Sequence, residues 1–539
     1  MAKSGTVFND PIHGYIELEP LLVKVIHTPQ FQRMKDIKQL GASYWVYPGA
    51  SHNRFEHSLG TAHLAGKMIE ILRLKHENEF EISDNEVLCV KLAALCHDLG
   101  HGPFSHVFDH QMKRKLIEWH MQKEHELMKL FKKTKSDKEA INYHREHVSK
   151  LSNWSHEDAS CEMFDYLVET NPNVKKAFED KKLSKIDLEF VKELIKGKKP
   201  DVDIVKQTVT INGVEYKKSF LFEIVANKRN GIDCDKFDYF ARDCHNLGVK
   251  SNFDHLRYFQ NVHIFPVDGE LQLCVRDKLV FNIYEMFHTR WSLHHRVYQH
   301  KTIKAIEDMI TDAFVIVNDK YKFSEAISNM EEYSKLTDCL FYEIIRCKDD
   351  DENVRNAKKI LEKIQRRELY KFCGETQLKE RLKIDATEAA EEIASFDDDL
   401  NANELFVSVI EIDFGKKDED PVESVVFFNK DEKPLQIRKN IVSGMLPSKF
   451  SERFVRVYGK ALKETNVASS PNSKEIEDTI VRCFQKWCQK HKCAYADELS
   501  GDKTGYFTPA KGRKRVTLED QNNEVKTAKR KLYNDTELK

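Results

Sequence analysis

The amino-acid sequence predicts a mainly α-helical protein carrying two small β-hairpins and, further along, a C-terminal α+β lobe. Three observations lead there. Helix start signals and apolar residues at helical spacing run through most of the chain to about Ile345, Asn-Gly and Asp-Gly dipeptides interrupt two short β-forming stretches, and strand-like runs return only after residue 400. At 539 residues, the chain has room for two to three domains, or for one large domain with appendages. It is 40% apolar and 32% charged with 20 Gly and 13 Pro, which excludes a collagen-like, low-complexity or wholly disordered chain. The 86 Lys and Arg nearly cancel the 88 Asp and Glu, so bulk charge selects neither nucleic acid nor an anionic membrane as main partner, and anion binding must be local. No apolar run reaches the roughly 18 residues of a membrane span. The opening MAKSGTVFND lacks the apolar stretch of a secretory signal, so the expectation is a soluble intracellular protein. Twelve thinly spread Cys without a CxxC pair argue against a disulfide framework or a cysteine-held zinc, and the 23 His carry more information.

Residues 1 to about 110 hold helix signals broken by Gly and Pro. The clearest is Ser83-Asp84-Asn85-Glu86, where Ser and a Glu three positions on satisfy two orphan amide donors. Val87 to Cys96 is almost wholly apolar and stops before Gly100, Gly102 and Pro103, which predicts a buried helix that delivers His97 and Asp98 into the interior. Residues 111–200 are rich in Lys, Glu and His with weak apolar faces, and read as surface helices around a buried patch near Trp154. Gln207 to Tyr216, turning at Asn212-Gly213, and His263 to Arg276, turning at Asp268-Gly269, predict the hairpins. Phe281 to Ile345 is helical again; Glu404 to Phe414 and Glu423 to Ile437 read as strands of the lobe. The expected division is a core over 1–350, the lobe over 351–500, and a tail over 501–539. That tail has ten Lys or Arg, six Asp or Glu and few large apolar groups, the composition of a disordered, locally basic segment.

Four residues stand out as possible metal ligands: His57 in SHNRFEH, the adjacent His97-Asp98, and Asp235 in NGIDCDKFDYFARD. Two imidazoles and two carboxylates suit Fe, Mn or Zn, with positions left for water and a substrate oxygen. Neighbours within a helix diverge by about 100°, but where a helix stops both can reach one ion; the competing reading is a capped helix end. His101, His106 and Asp109 follow within a dozen residues as an acid/base set, and His156 is a candidate for protonating a leaving oxygen, since imidazole titrates near working pH. Most other His must be solvated or packed, and His120, His125, His144 and His147 are read that way. Asp235, Tyr239 and Asp243 recur every four residues and line one helix face over about 12 Å. On that face Asp235 would hold the metal, Lys236 a phosphate, Tyr239 a sugar ring and Asp243 a hydroxyl. The alternative is a solvated amphipathic helix with an Arg242–Asp243 ion pair. The stretch from His288 to Lys301 adds Arg290 and other cations suited to a polyphosphate. Metal, cations and acid/base His together point to phosphoester or phosphoanhydride cleavage by water. No GxxxxGK[ST] loop is present, which disfavours a P-loop ATPase.

Taken together, FNDPIHG at 8–14, TPQFQR at 28–33, SHNRFEHSLG at 51–60, CHDLGHGPFSH at 96–106 and KRNGID at 228–233 resemble the animal SAM and HD domain-containing deoxynucleoside triphosphate triphosphohydrolases. The likeness runs from about Val7 through the C-terminal lobe, fades in the tail and does not include the SAM module. It implies an HD-domain helical core that hydrolyses a dNTP to deoxynucleoside and triphosphate, with water attacking the α-phosphorus, and a role in limiting the dNTP pool and in antiviral restriction. By match of motif, His57, His97, Asp98 and Asp235 would ligate a divalent metal, with Mg accompanying the nucleotide. His156, His101, His106 and Asp109 would be the catalytic neighbours, while Arg54, Lys236 and Arg290 would grip phosphates. Gln39, Leu40, Tyr239, Asp243, Tyr298 and Gln299 match the family's sugar pocket, which excludes a 2′-hydroxyl.

The same resemblance implies a homo-oligomer, dimer to tetramer, assembled around activating nucleotides and helped by the 351–500 lobe. Val46, Arg257, Arg276, Lys278, Asn282, His300, Lys301 and Lys460 match the family's deoxynucleotide activator site; Val7, Asn9, Gln32, Arg367 and Lys371 match its guanine-selective one. Three positions depart from the latter: Thr6 replaces a basic residue, His27 an acidic one and Lys35 an arginine. A carboxylate accepts both guanine edge N–H groups where an imidazole cannot, and Lys lacks the planar fork of Arg, so GTP activation is expected to be altered or absent. Thr508-Pro509 resembles a kinase site and Lys511 to Arg515 a nuclear import signal, giving a nuclear or cytoplasmic expectation. Two competing readings are another HD-type nucleotide phosphohydrolase, and a nucleotide-sensing or single-stranded nucleic-acid-binding scaffold that would use the same basic surfaces.

Overall fold

The computed structural model describes residues 5–134, 138–197, 208–378, 384–443, 445–460 and 473–493. Thr508 and the basic run from Lys511 to Arg515 lie outside the described residues. Among those described, no helix is long and apolar enough to cross a membrane.

Two helices form the centre. Glu56 accepts the Asn53 amide at 3.0 Å and starts the helix Arg54–Lys75. Ser83 and Glu86 close their reciprocal cap, Glu86 taking the Ser83 amide at 2.7 Å and Ser83 Oγ the Glu86 amide at 3.2 Å, to start Asp84–Cys96. That second helix is buried from Val87 to Cys96 apart from half-exposed Lys91, as an apolar surface on all sides requires, and it ends at His97 as expected. A third helix, Cys234–Leu247, packs across Arg54–Lys75, with Asp233 accepting the Lys236 amide as its cap. The helices Lys113–Thr134, Lys138–Asn153 and His156–Thr170 lie outside this centre, and the Trp154 ring between the last two sits 5.4 Å from Phe108 and 6.2 Å from Tyr333.

Both hairpins form. Thr208–Ile211 pairs with Val214–Lys217, and Val262–Val267 with Glu270–Arg276, each antiparallel. Their turns carry positive φ at both central residues, Asn212 50° and Gly213 81°, Asp268 50° and Gly269 80°, the conformation that suits the twist of a tight hairpin. A third hairpin, not anticipated, joins Thr6–Asp10 to Gly14–Leu18.

The lobe differs from expectation in two respects. The packing does not divide at residue 350: the helix Glu352–Gln365 inserts Val354, Ala357, Leu361 and Ile364 into the main core against Lys301–Ile316, an apolar stripe that a boundary at 350 would strip of its partner. A separate core, holding Ile393, Leu405, Val455, Phe484 and Trp487, begins only with the strand Lys371–Gln377. Its three-stranded antiparallel sheet places Ser451–Gly459 between Lys371–Gln377 and Leu405–Asp413, the last matching the expected strand. Glu423 to Ile437, in contrast, is no long strand of that lobe. Pro421 and the Asn429 turn break it into the short pair Phe427–Phe428 and Pro434–Leu435, and Phe427–Phe428 adds in parallel to the Glu270–Arg276 edge in the main body. The chain thus leaves the lobe after residue 413, packs Phe414, Val425, Phe427 and Phe450 into the main core, and returns.

Replacing Ser83 by Ala removes the cap that starts the helix carrying His97, and should cost about 1 kcal/mol. Native-state hydrogen exchange should show this as faster exchange across 84–96, with the metal content of the purified protein unchanged.

Candidate functional site

The central helices bring four distant side chains to one point. Arg54–Lys75 supplies His57, the end of Asp84–Cys96 supplies His97 and Asp98, and the first turn of Cys234–Leu247 supplies Asp235. His57 Nε2 stands 3.2 Å from His97 Nε2, 3.0 Å from Asp235 Oδ1 and 3.5 Å from Asp98 Oδ2. His97 Nε2 lies 3.4 Å from Asp98 Oδ1 and 3.4 Å from Asp235 Oδ1. Donors about 2.1 Å from a shared divalent ion are separated by about 3.0–3.4 Å, so the spacing fits one cation.

Tautomers strengthen that fit. His57 Nδ1 donates to Asp238 Oδ2 at 2.8 Å and His97 Nδ1 donates to the Ala94 carbonyl at 2.8 Å, which leaves both Nε2 lone pairs turned toward each other. Two lone pairs at 3.2 Å repel unless a positive centre lies between them. A proton can also serve as that positive centre: burial opposes charge on His57, yet its hydrogen bonds to Asp235 and Asp238 push its pKa up to about 10. Asp98 is further held by Arg54, whose Nη1 donates to Oδ2 at 2.7 Å.

Beside the cluster, the π-helical turn Val107–Met112 carries Asp109, on which three imidazoles converge. Asp109 Oδ2 lies 3.3 Å from His101 Nδ1, 3.2 Å from His106 Nδ1 and 3.0 Å from His156 Nδ1. The His101 and His156 rings stack at 4.1 Å. Burial opposes charge on both, but the Asp109 carboxylate raises His156 above the ordinary histidine range, whereas burial together with nearby Arg54 lowers His101. The two stacked imidazoles are therefore driven toward opposite protonation states, as acid and base roles require. His101 Nε2 also reaches Asp98 Oδ1 at 3.3 Å, which ties this set to the first.

Both sets face a cleft of about 460 Å³. Its wall includes His97, Asp98, Asp235, Arg54, His101, His106 and His156, and all eight residues expected to bind substrate: Gln39, Leu40, Lys236, Tyr239, Asp243, Arg290, Tyr298 and Gln299. His57 and Asp109 are buried and do not form part of that wall. Gln39 lines the cleft, and its Oε1 is buried without a hydrogen-bond partner among the described residues. Asp243 is buried and accepts from Tyr298 Oη at 2.5 Å and from His52 Nε2 at 2.7 Å. The alternative of a solvated helix with an Arg242–Asp243 pair is thereby overturned, because Arg242 points to the other face and binds Asp238 and Asp10, each at 2.9 Å. Each candidate phosphate cation already has a partner: Lys236 Nζ lies 3.0 Å from Asp233, Arg290 Nη1 2.6 Å from Asp413 Oδ1, and Arg54 is engaged by Asp98 and by Ser105 Oγ at 3.0 Å.

Several residues of the site escaped the sequence reading. Asp238 could have been found, since it sits one turn from Asp235 with Arg242 four residues on. His52 and His294 fall inside stretches with a signal of their own, SHNRFEHSLG and His288 to Lys301, whereas Lys304 and Glu307 carry no local signal.

The positions that match the family's activator sites stand in separate groups on one chain. Val7 and Asn9 lie on the Thr6–Asp10 strand, and Gln32 Nε2 donates to the Ile26 carbonyl at 2.7 Å. Arg367 Nη1 donates to the Trp45 carbonyl beside Val46 at 2.7 Å, and the His300 ring lies 5.9 Å from Tyr47. Asp254, which caps the helix bearing Arg257, donates its amide to Asn282, while Arg276 lies over Phe428 and binds Asp277, the neighbour of Lys278. Lys301 Nζ lies 4.8 Å from the Phe372 ring, next to Lys371, and Lys460 Nζ 3.0 Å from Asp312. Of the departing positions, Lys35 Nζ rests 4.7 Å over the Phe55 ring, His27 ends the helix Pro20–Ile26, and Thr6 pairs with Leu18.

Comparison with known proteins agrees with this geometry. Residues 54–178 match the HD domain family, a range that includes His57, His97, Asp98 and the three imidazoles around Asp109. The chain is 43% identical over 505 residues to deoxynucleoside triphosphate triphosphohydrolase SAMHD1 of Homo sapiens, covering 89% of this chain and 73% of that protein. It is 39% identical over 552 residues to the Xenopus laevis protein of the same name, covering 96% and 80%, and 32% identical over 517 residues to the Dictyostelium discoideum SAMHD1 homolog, covering 95% and 85%. With 39–43% identity over most of both chains, this protein belongs to the SAMHD1 deoxynucleoside triphosphate triphosphohydrolase family.

Proposed function

We propose that this protein is a metal-dependent dNTP triphosphohydrolase, releasing deoxynucleoside and intact triphosphate. The observation that carries the reading is the opening of the His97, Asp98 and Asp235 donors onto the same cleft as Gln39, Tyr239, Tyr298 and Asp243. A divalent ion, Fe, Mn or Zn, held by His57, His97, Asp98 and Asp235 supplies Lewis acidity toward a phosphoryl oxygen and makes water more acidic. Arg54, by bonding Asp98, fixes that carboxylate at the cleft wall. Lys236 and Arg290 would share their charge between Asp233 and Asp413 and the substrate phosphates. Tyr239 packs on the sugar, Leu40 closes the wall against a 2′-hydroxyl, and the Gln39 amide on the cleft wall takes a 3′-hydroxyl. Water attacks the α-phosphorus, and His156, charged and steadied through Nδ1 by Asp109, gives its proton to the departing 5′-oxygen.

Mg²⁺ would accompany the nucleotide. Because the activator positions are dispersed on one chain, they serve as parts of sites completed by other copies in a nucleotide-assembled dimer or tetramer. The guanine-selective part is the altered one, through Thr6, His27 and Lys35. Control of the dNTP pool and antiviral restriction follow from the activity, and single-stranded nucleic acid is a secondary partner of the basic surfaces.

Incubating the metal-loaded protein with each dNTP and rNTP, with and without GTP, should yield deoxynucleoside and triphosphate from dNTPs alone, with little or no GTP dependence. Monophosphate plus pyrophosphate would refute the assigned cleavage, and strict GTP dependence the altered activator site. His97→Ala should abolish turnover. Asp238→Asn, which frees His57 Nδ1, should weaken metal affinity by roughly 10–100-fold in a chelator competition. The raised His156 pKa keeps its acid form populated above pH 6.5, so kcat should fall as pH rises through that raised value, and His156→Asn should remove this limb of the profile.

A further inference from the structure

The loop between His101 and His106 is held in a conformation that its own residues disfavour. Phe104 (φ 59°) and Ser105 (φ 55°) both adopt the left-handed backbone, which side chains other than Gly and Asn rarely take. Something outside the loop must over-determine it. The restraint comes from Asp338, more than two hundred residues away and not part of the cleft wall. Asp338 Oδ1 accepts the Phe104 amide at 2.6 Å and Oδ2 accepts the Lys38 amide at 2.9 Å, while the Asp338 amide donates to the Asp36 carbonyl at 3.0 Å. A second tie closes the frame: Ser105 Oγ donates to the Lys38 carbonyl at 2.6 Å, and Arg54 donates to Ser105 Oγ at 3.0 Å and to the Gln39 carbonyl at 3.3 Å. The two backbones touch directly, since a Cβ on Gly41 (φ +49°) would meet the Phe104 carbonyl oxygen at 2.5 Å.

We infer that Asp338 is a positioning residue for the reaction: one half-buried carboxylate clamps the sugar-facing segment Lys38 to Gly41 onto the His101 to His106 loop. This rests on the proposed function, in which Gln39 and Leu40 read the deoxyribose. Both segments have one oxygen of the same rigid carboxylate as their register mark. The clamp therefore sets how far the sugar wall stands from the acid/base set, and hence the room left for a 2′-hydroxyl. It also reaches the metal cluster, because the Arg54 that bonds Ser105 and Gln39 is the one that orients Asp98. Loss of the clamp is expected to loosen sugar selection more than metal retention, since the four metal donors sit on helices that Asp338 does not touch.

The test compares the full Mn²⁺-loaded chain with Asp338→Asn, which keeps one acceptor and turns an NH₂ toward the other amide. Four quantities are read: hydrogen exchange at the Lys38 and Phe104 amides, metal content, thermal midpoint, and kcat/KM for dATP and ATP. The clamp predicts faster exchange at both segments, unchanged metal content, a loss of about tenfold or more in kcat/KM for dATP, and a dATP:ATP ratio narrowed at least about threefold. A purely structural residue would lower the thermal midpoint and leave the ratio intact; that result, or unchanged exchange at the two amides, overturns the inference. If Asp338→Asn does not fold, Ser105→Ala cuts the same frame from the other side and must give the same pattern. A wild-type protein that releases no triphosphate from dATP refutes the proposed function instead, and amide exchange then decides the clamp without turnover.

Discussion

The approach of two imidazole Nε2 atoms to 3.2 Å between two carboxylates is the constraint around which the rest is arranged. Around the centre the carboxylates of Asp10, Asp98, Asp109, Asp235 and Asp238, buried except for half-buried Asp235, face the guanidiniums of Arg54 and Arg242. Unpaired charges of that kind are too costly to bury, so the centre must take up positive charge, as protons on imidazole or as a metal ion. Fixed Nδ1–H bonds make Nε2 the atom that takes up either one. With both Nδ1 atoms spent on Asp238 and Ala94, the Nε2 pair is set to receive a cation.

Much of the surrounding fold holds those tautomers and loops in place. Asp238 serves two masters at once, accepting from His57 at 2.8 Å and from His13 at 2.7 Å, with Arg242 bridging it to Asp10. The turn of the N-terminal hairpin is in this way wired to a metal ligand through a single buried carboxylate, and that hairpin also carries Val7 and Asn9. The loop that presents His101 is fixed along its backbone: Arg33 donates to the Leu99 and His101 carbonyls at 2.9 and 2.6 Å, and Tyr333 Oη to the Gly100 carbonyl at 2.7 Å. Side chains borrowed from distant segments replace the regular hydrogen bonding that a loop lacks.

The C-terminal lobe meets the cleft through a few specific contacts. Arg290 and Gln299 on the cleft wall are bound by Asp413 and Arg456 of the lobe sheet, the latter through the Gln299 carbonyl, and Trp291 Nε1 donates to Glu452 at 3.1 Å. The lobe sheet thus backs the basic and aromatic stretch that ends at Lys301, and a shift of that sheet would move Arg290 and Gln299 together.

Local sequence determined the elements whose signals are local: the Ser83 capping box, the wholly apolar helix that must be buried and must stop at His97, the two-residue hairpin turns, and the four-residue spacing that lines Asp235, Tyr239 and Asp243 along one face. These depend on backbone donors and side-chain periodicity within a dozen residues, and no fold is needed to read them. Resemblance of motif named the ligand set, the acid/base set and the sugar residues, and the structure gathers them around one cleft. Tertiary structure alone decided which oxygen faces which imidazole, that Arg242 bonds Asp238 and not its neighbour Asp243, that the helix Glu352–Gln365 belongs to the main core, and that Asp338 lies against Phe104 and Lys38. Each of these is a pairing between segments far apart in the chain, chosen by which buried group is left needing a partner once the helices have packed, and that need exists only in three dimensions.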